Sequence, residues 1–262
     1  VLCVWQGRIA LEEAVYSFLM QDYTGEKELV ILNDYEEQDL IFEHPEVRIY
    51  NVKERYPTLA TKMNDLLDMC KYEYLAPWAP DDICMPWRLS VSVERMNKGG
   101  PLLHIPDNYK NFQYYGPGHW IIAKYENGEI NLIPQDTFDH GATLYSRAAY
   151  NEGKPYNLEW SSCLGCQIDN KMQILGYWSF DSNMPNEKTF YLYRRFLTEE
   201  KWFPHVLAAR AMGDRGGDIT KSQEHYVKYA KKGKIQINPH WKMDYSSFFG
   251  FHNGMALNAL VP

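Results

Sequence analysis

The chain has 262 residues, of which 45% are hydrophobic, 15% aromatic and 23% charged, enough apolar content to bury a substantial core and too much for an intrinsically disordered segment. A formal net charge of −7 and a pI of about 5.6 exclude a protein that coats nucleic acid through overall basicity, while leaving room for a local basic strip. No apolar run approaches the roughly 18 residues of a membrane-spanning helix, and five cysteines are too few and too uneven for a disulfide framework, which points to reducing, cytoplasmic surroundings.

The chain opens at Val1 without a methionine or a charged leader, which leaves an upstream segment open. Leu2 to Trp5 predicts a short buried strand ended by Gln6-Gly7-Arg8. Leu11, Ala14, Val15, Phe18 and Leu19 then recur at helical spacing, with Glu12 and Glu13 towards the helix end that favours negative charge. Glu28 to Leu32 predicts a second strand stopped by Asn33-Asp34, and Val47 to Val52 a third. Leu59, Met63, Leu66, Leu67 and Cys70 define one face of a helix starting near Pro57-Thr58, and Tyr74 to Trp78 predicts a fourth strand that runs into Ala79-Pro80-Asp81-Asp82. From about 100 to 160 the chain is aromatic and rich in turns, with a hairpin expected at Glu126-Asn127-Gly128-Glu129. A helix is expected over about 161–180 and a strand over Thr189–Arg194. Gly213 to Gly217 reads as a loop, followed by a lysine-rich stretch (Lys221, Lys228, Lys231, Lys232, Lys234) and an aromatic tail.

Alternating strands and helices with short connections imply a largely parallel sheet covered by helices on both faces. Ligands of such sheets collect at the carboxyl ends of the strands, where loops and helix N-termini converge. Three polar strand endings are therefore the first candidates: Gln6-Gly7-Arg8, Asn33-Asp34 and Asp81-Asp82. Adjacent carboxylates repel, so Asp81-Asp82 suits a bound Mg²⁺ or Mn²⁺ with diphosphate oxygens. Capping the N-terminus of the next helix is the alternative use of such a pair.

The order of these pieces over residues 1–96 resembles the nucleotide-binding half of the family 2 glycosyltransferases, which have the GT-A fold. The matching segments are the strand ending in Gly7-Arg8, the helix closing on Phe18-Leu19-Met20-Gln21-Asp22-Tyr23, Glu28 to Asp34, Leu59 to Asn64, Tyr74 to Trp78, and Asp81-Asp82-Ile83 followed by Pro86-Trp87-Arg88-Leu89. The resemblance implies an α/β GT-A domain over 1–212, divided into a nucleotide-sugar-binding half (1–100) and an acceptor half (101–212), with a basic and aromatic C-terminal extension over 213–262.

It also implies roles. Asp34 matches the aspartate that binds the base of a nucleotide sugar, usually uracil, whose N3–H a carboxylate can accept. A simple turn residue is the alternative for Asp34. Lys62 and Asn64 match polar residues aimed at the nucleotide, with a solvated helix face as the alternative for Lys62, and Arg8 joins the same donor side. The family's Asp-x-Asp metal motif has lost its first acid, because Ala79 stands there; Asp81 becomes the first choice of ligand, supported by Asp82 and by His205, which follows Tyr191 to Arg195 and Trp202-Phe203-Pro204. Imidazole suits Mn²⁺. An inverting transfer needs a base for the acceptor hydroxyl. Asp169 is the nearest candidate and Glu159 the second, with a solvated helix carboxylate as the alternative for Asp169.

Cys163 and Cys166 have Cys-x-x-Cys spacing without a second pair nearby, so packing outweighs zinc. The aromatic cluster from Tyr114 to Trp120 suits core filling or stacking on a sugar. A nucleotidyltransferase would need a glycine-rich phosphate loop after the first strand, and Gln6-Gly7-Arg8 is too short for one. The expectation is transfer of a sugar from a nucleotide diphosphate, a UDP-sugar, to a hydroxyl on a glycan, protein, lipid or modified nucleic acid. The competing expectation is an inactive GT-A module that binds a nucleotide or glycan.

Overall fold

The structure, a computed structural model, describes residues 2–4, 8–57, 59–80, 82–97, 114–117, 120–126, 129–135, 143–152, 180–181, 191–196 and 232–241. Its centre is a parallel ladder of β1 (Leu2–Val4), β2 (Leu29–Asn33) and β4 (Val47–Asn51), in the order β1-β2-β4. All five residues of β2 are buried, as an inner parallel strand requires.

Alternation along β2 divides the core. Leu29 and Ile31 pack with Leu11, Ala14, Val15 and Phe18 of α1 (Arg8–Leu19). Val30 and Leu32 pack on the other face with Ala60, Met63, Leu66 and Leu67 of α2 (Leu59–Met69). The expected two-sided cover is present, and period-2 alternation in the strand sends each residue to one helix or the other. β3 (Gln38–Ile41) lies between β2 and β4 in the chain and pairs instead with β13 (Gly233–Gln236), in parallel.

The fourth strand is shorter than expected. β5 covers only Tyr74–Leu75 and pairs antiparallel with β10 (Leu144–Ser146), so it leaves the parallel ladder. Pro77 has no N–H to give a ladder, and Trp78 is held by its indole N–H, which donates to Ala14 O of α1 at 3.0 Å. β6 (Ile83–Cys84) follows, then α3 (Arg88–Asn97). Gln21, in the segment after α1, serves the start of α3. Its Oε1 accepts the Leu89 N–H at 3.0 Å, one of the donors that a helix leaves unpaired, while its Nε2 donates to Met85 O at 2.7 Å.

β7 (Tyr114–Pro117) and β11 (Phe180–Asp181) extend the β5–β10 sheet, in the order β11-β7-β10-β5. The expected hairpin is present: β8 (Trp120–Glu126) and β9 (Glu129–Gln135) are antiparallel, closing at Glu126 opposite Glu129. β12 (Tyr191–Phe196) joins β8 in parallel and β6 antiparallel, two positions beyond the start of the strand expected from Thr189. The helix expected over 161–180 lies outside the described residues, save that Phe180 already belongs to β11. α4 (Arg147–Asn151) starts at Ser146, whose side chain accepts the Ala149 N–H. Arg147 closes the other end of α2, its guanidinium donating to Cys70 O at 2.5 Å and Tyr72 O at 3.1 Å. Among the described residues no helix is long and apolar enough to cross a membrane.

Candidate functional site

The carboxyl ends of β2 and β4 carry Asn33 and Asn51, which are paired in the ladder and joined by their side chains. Asn33 Nδ2 donates to Asn51 Oδ1 and to Gln38 O, each at 3.0 Å, and Asn33 Oδ1 accepts the Tyr35 N–H at 3.2 Å. Asn33 thus makes the turn after β2. Asp34 is released from that duty.

Asp34 is 4% exposed and meets Lys62, 1% exposed, with Lys62 Nζ donating to Asp34 Oδ1 at 2.5 Å. The Tyr56 N–H donates to Asp34 Oδ2 at 3.1 Å. Lys62 is therefore no solvated-face residue. It comes from the first turns of α2, across β2 from α1, and forms with Asp34 a buried pair at the carboxyl edge of the sheet. Two buried opposite charges are costly to desolvate, and each needs the other. Asn64 is also buried, but it stands two residues beyond Lys62 and so on a different face of α2; its backbone carbonyl accepts the Tyr150 hydroxyl at 2.9 Å.

The turn beyond Asp34 is pinned as well. The Tyr35 hydroxyl donates to Glu37 Oε2 at 2.8 Å, Arg55 lies 5.8 Å over the Tyr35 ring, and Lys232 pairs with Glu37 at 2.7 Å. Burial is the main cause that raises the Tyr35 phenol above its ordinary range, and its bond to Glu37 adds to it. Hydrogen bonds from Lys232 and Tyr35 hold the Glu37 carboxyl below the usual range.

Asp82 is 2% exposed and precedes β6. Five residues separate it from α3, which starts at Arg88, so it does not cap that helix. Its charge acts on the Cys84 thiol, which burial pushes up to about 11 against the opposing effect of Arg88. Arg88 is itself buried: it donates to Cys84 Sγ at 2.7 Å and to Pro77 O at 2.6 Å, and lies 4.6 Å over the Trp78 ring.

Of the remaining expected site residues, Arg8 is placed only as the first residue of α1. Asp81, Glu159, Asp169 and His205 lie outside the described residues. Among the described residues no group of three or more His, Cys, Asp or Glu side chains forms a metal site. The fit of a metal rests on donor chemistry: two carboxylates and an imidazole suit Mn²⁺, and carboxylates alone suit Mg²⁺. The structure brings together Asp34 and Lys62 as an ion pair, a contact that the sequence reading does not foresee. Tyr56, Tyr35, Glu37 and Lys232 escape sequence reasoning, because a backbone N–H leaves no mark on composition and Lys232 lies far along the chain.

The sequence profile of glycosyl transferase family 2 matches residues 1–153. No curated protein matches the chain in sequence. Among solved structures the chain is similar to TarS of S. aureus, at 12% identity and a TM-score of 0.50 over 97% of this chain and 45% of that one. It is also similar to the mannosyltransferase PcManGT from Pyrobaculum calidifontis in complex with GDP-Man and Mn²⁺, at 10% identity and a TM-score of 0.50 over 88% of this chain and 64% of that one. At such identities the likeness concerns the fold, which is GT-A. The chain spans under half the length of TarS and under two thirds of that of the mannosyltransferase.

Proposed function

The chain belongs to glycosyl transferase family 2, and from that premise we propose that it transfers a sugar from a UDP-sugar to an acceptor hydroxyl, with inversion and with Mn²⁺ or Mg²⁺. The observation that carries the donor half is the buried Asp34–Lys62 pair at the carboxyl end of β2. A carboxylate there accepts the N3–H of uracil, and an ammonium beside it favours the base's carbonyl oxygens. Arg8, Asn64 and Asp81 complete the proposed donor side. Asp81, with Asp82 and His205, would hold the metal, whose charge would help to neutralise the departing diphosphate. Asp169, or Glu159 in its place, takes the proton of the acceptor hydroxyl as that oxygen approaches the anomeric carbon from the face opposite the diphosphate. The acceptor is a hydroxyl on a glycan, protein, lipid or modified nucleic acid.

Ala79, where the family motif has an acid, favours a second reading: a GT-A module that binds the nucleotide or a glycan without catalysis. A thermal-shift series with UDP, GDP and their sugars, with and without Mn²⁺, tests the donor class, since a ligand of the folded form raises its melting temperature. A shift confined to uridine compounds is expected, and Asp34→Asn should weaken UDP about tenfold, the loss of roughly one charge-assisted hydrogen bond. Slow UDP release from a UDP-sugar, lost in Asp81→Ala, separates the enzyme from the module. Failure of every nucleotide to shift the melting temperature rejects the transferase and the nucleotide-binding module, and leaves only a module that binds a glycan.

A further inference from the structure

A cavity of about 340 Å³ opens at the end of the strands opposite Asn33 and Asp34. It takes in the approach to β2 from Glu26 to Leu29, the passage from α2 into β5, the Leu89 and Val93 side of α3, and Leu144 of β10. Leu29 and Asn33 are the two ends of β2, so at about 3.3 Å per residue the strand sets this cavity roughly 13 Å from the Asn33-Asp34 edge. Its size falls within the roughly 300–1,000 Å³ of small-molecule sites.

The walls are apolar and fixed. Phe18, Trp78, Leu75 and Leu144 are all buried. The Trp78 indole is locked by its bond to Ala14 O, by the edge of Phe18 at 5.9 Å and by the Arg88 guanidinium on its face. The mouth differs in character. Tyr23, Tyr72 and Tyr74 line it with Glu26 and Glu73.

Charge at the mouth is unbalanced. Glu28 is engaged by Arg48 at 2.7 Å and by the Lys71 N–H at 2.6 Å, and Lys27 pairs with Glu46 at 3.3 Å. Glu26 and Glu73 are exposed and have no ion pair among the described residues. The aromatic faces here already attract ammonium groups: Lys71 lies 4.7 Å from the Tyr72 ring centre and Lys27 lies 5.9 Å from that of Phe18. A phosphate or carboxylate ligand would face the carboxylates of Glu26 and Glu73, which among the described residues outnumber the Lys71 ammonium held on the Tyr72 ring.

We propose that this cavity binds a small molecule with an apolar or aromatic body and one cationic head, the body between Phe18, Trp78 and Leu144 and the head at the mouth beside Glu26 and Glu73. The arrangement pairs a preformed apolar pocket with aromatic faces and negative charge at its entrance, which is how organic ammonium ions are recognised. The site is independent of the nucleotide reading, because it uses the opposite edge of the sheet.

Calorimetric titration of the whole chain with 3-phenylpropylamine, 3-phenylpropanol and 3-phenylpropionate tests it. The amine should bind about tenfold or more tightly than the carboxylate, with the alcohol between them. Glu73→Gln, an exposed change, should weaken the amine about three- to tenfold and leave the alcohol unchanged. Val93→Trp should fill the cavity and abolish binding; if that variant does not fold, the Glu73→Gln comparison decides alone. Saturating UDP should not displace the amine. Equal binding of the three probes, preference for the carboxylate, no binding at all, or undiminished binding in a folded Val93→Trp protein would each overturn the proposal. The UDP thermal shift in the same preparation reports on the donor site separately.

Discussion

Asp34 shows how one side chain is freed from a turn by its neighbour. Asn33 takes the turn, bonding the Tyr35 N–H, and the Asp34 carboxylate is left to Lys62 and the Tyr56 N–H. Because both members of the pair are buried, removing one strands a charge. Lys62→Met should cost about 3–5 kcal/mol in urea unfolding, and the double change Asp34→Asn with Lys62→Met should cost clearly less, since no unpaired charge then remains inside. Additive losses in the two single variants would show that the pair does not act as a unit. The sequence singled out Asp34 and Lys62 only through the family resemblance, as residues matching its nucleotide-binding positions. It could not place Tyr56, whose contribution is a main-chain N–H available to any residue but proline.

At the scale of elements, the late segment 232–241 is stitched to the first half of the chain. β13 pairs with β3, the Ile237 N–H donates to Ile41 O at 2.9 Å, and the Asn238 N–H donates to Glu12 Oε1 at 2.9 Å. Ile237 is 2% exposed and belongs to the core cluster of α1, while the Trp241 ring meets Tyr16 edge-on at 5.0 Å. The other side of β3 is held by the Asn51 amide, which accepts from Leu40 N and donates to Leu40 O as a strand backbone would. Gly233 opens β13 at φ +85°, a conformation that side chains other than glycine's rarely take. Ile237→Ala should cost about 2–4 kcal/mol, read as a lower urea midpoint with an unchanged slope. A loss near zero would mean that this segment rests on the first half without stabilising it. A lysine-rich stretch before an aromatic tail reads as an appendage because pairing across two hundred residues leaves no local periodicity.

For the whole molecule, the buried thiols and phenols set the response to alkali. Burial raises the proton affinity of Cys70 and Cys84, and it is also the leading cause for Tyr35, Tyr74 and Tyr150. Such groups are neutral when protonated, so above the ordinary thiol range the unfolded chain has lost protons that the folded chain keeps. Stability therefore falls as pH rises and levels off once the folded group also ionises. For Cys84, ordinary value 9.0 and about 11 when folded, the loss lies between those two values. It amounts to about 2–3 kcal/mol. Urea unfolding at pH 8 and pH 10.5 should show the decline, and Cys84→Ala should make it shallower. A stability that is flat or rising over that range would contradict the burial of these groups.

The sequence alone determined the strands and helices through residue 70 except β3 (Gln38–Ile41), which it missed, together with the two-sided cover of β2, the hairpin at Glu126–Glu129 and the family, because each is written in local periodicity or in the spacing of short motifs. Only the tertiary structure decided that β5 leaves the parallel ladder, that β13 joins β3, that Arg88 is buried against Trp78 and Cys84, and that Arg147 closes α2. Those outcomes depend on contacts between residues far apart in the chain. Their free energy lies in desolvation and geometry, which no stretch of sequence carries by itself.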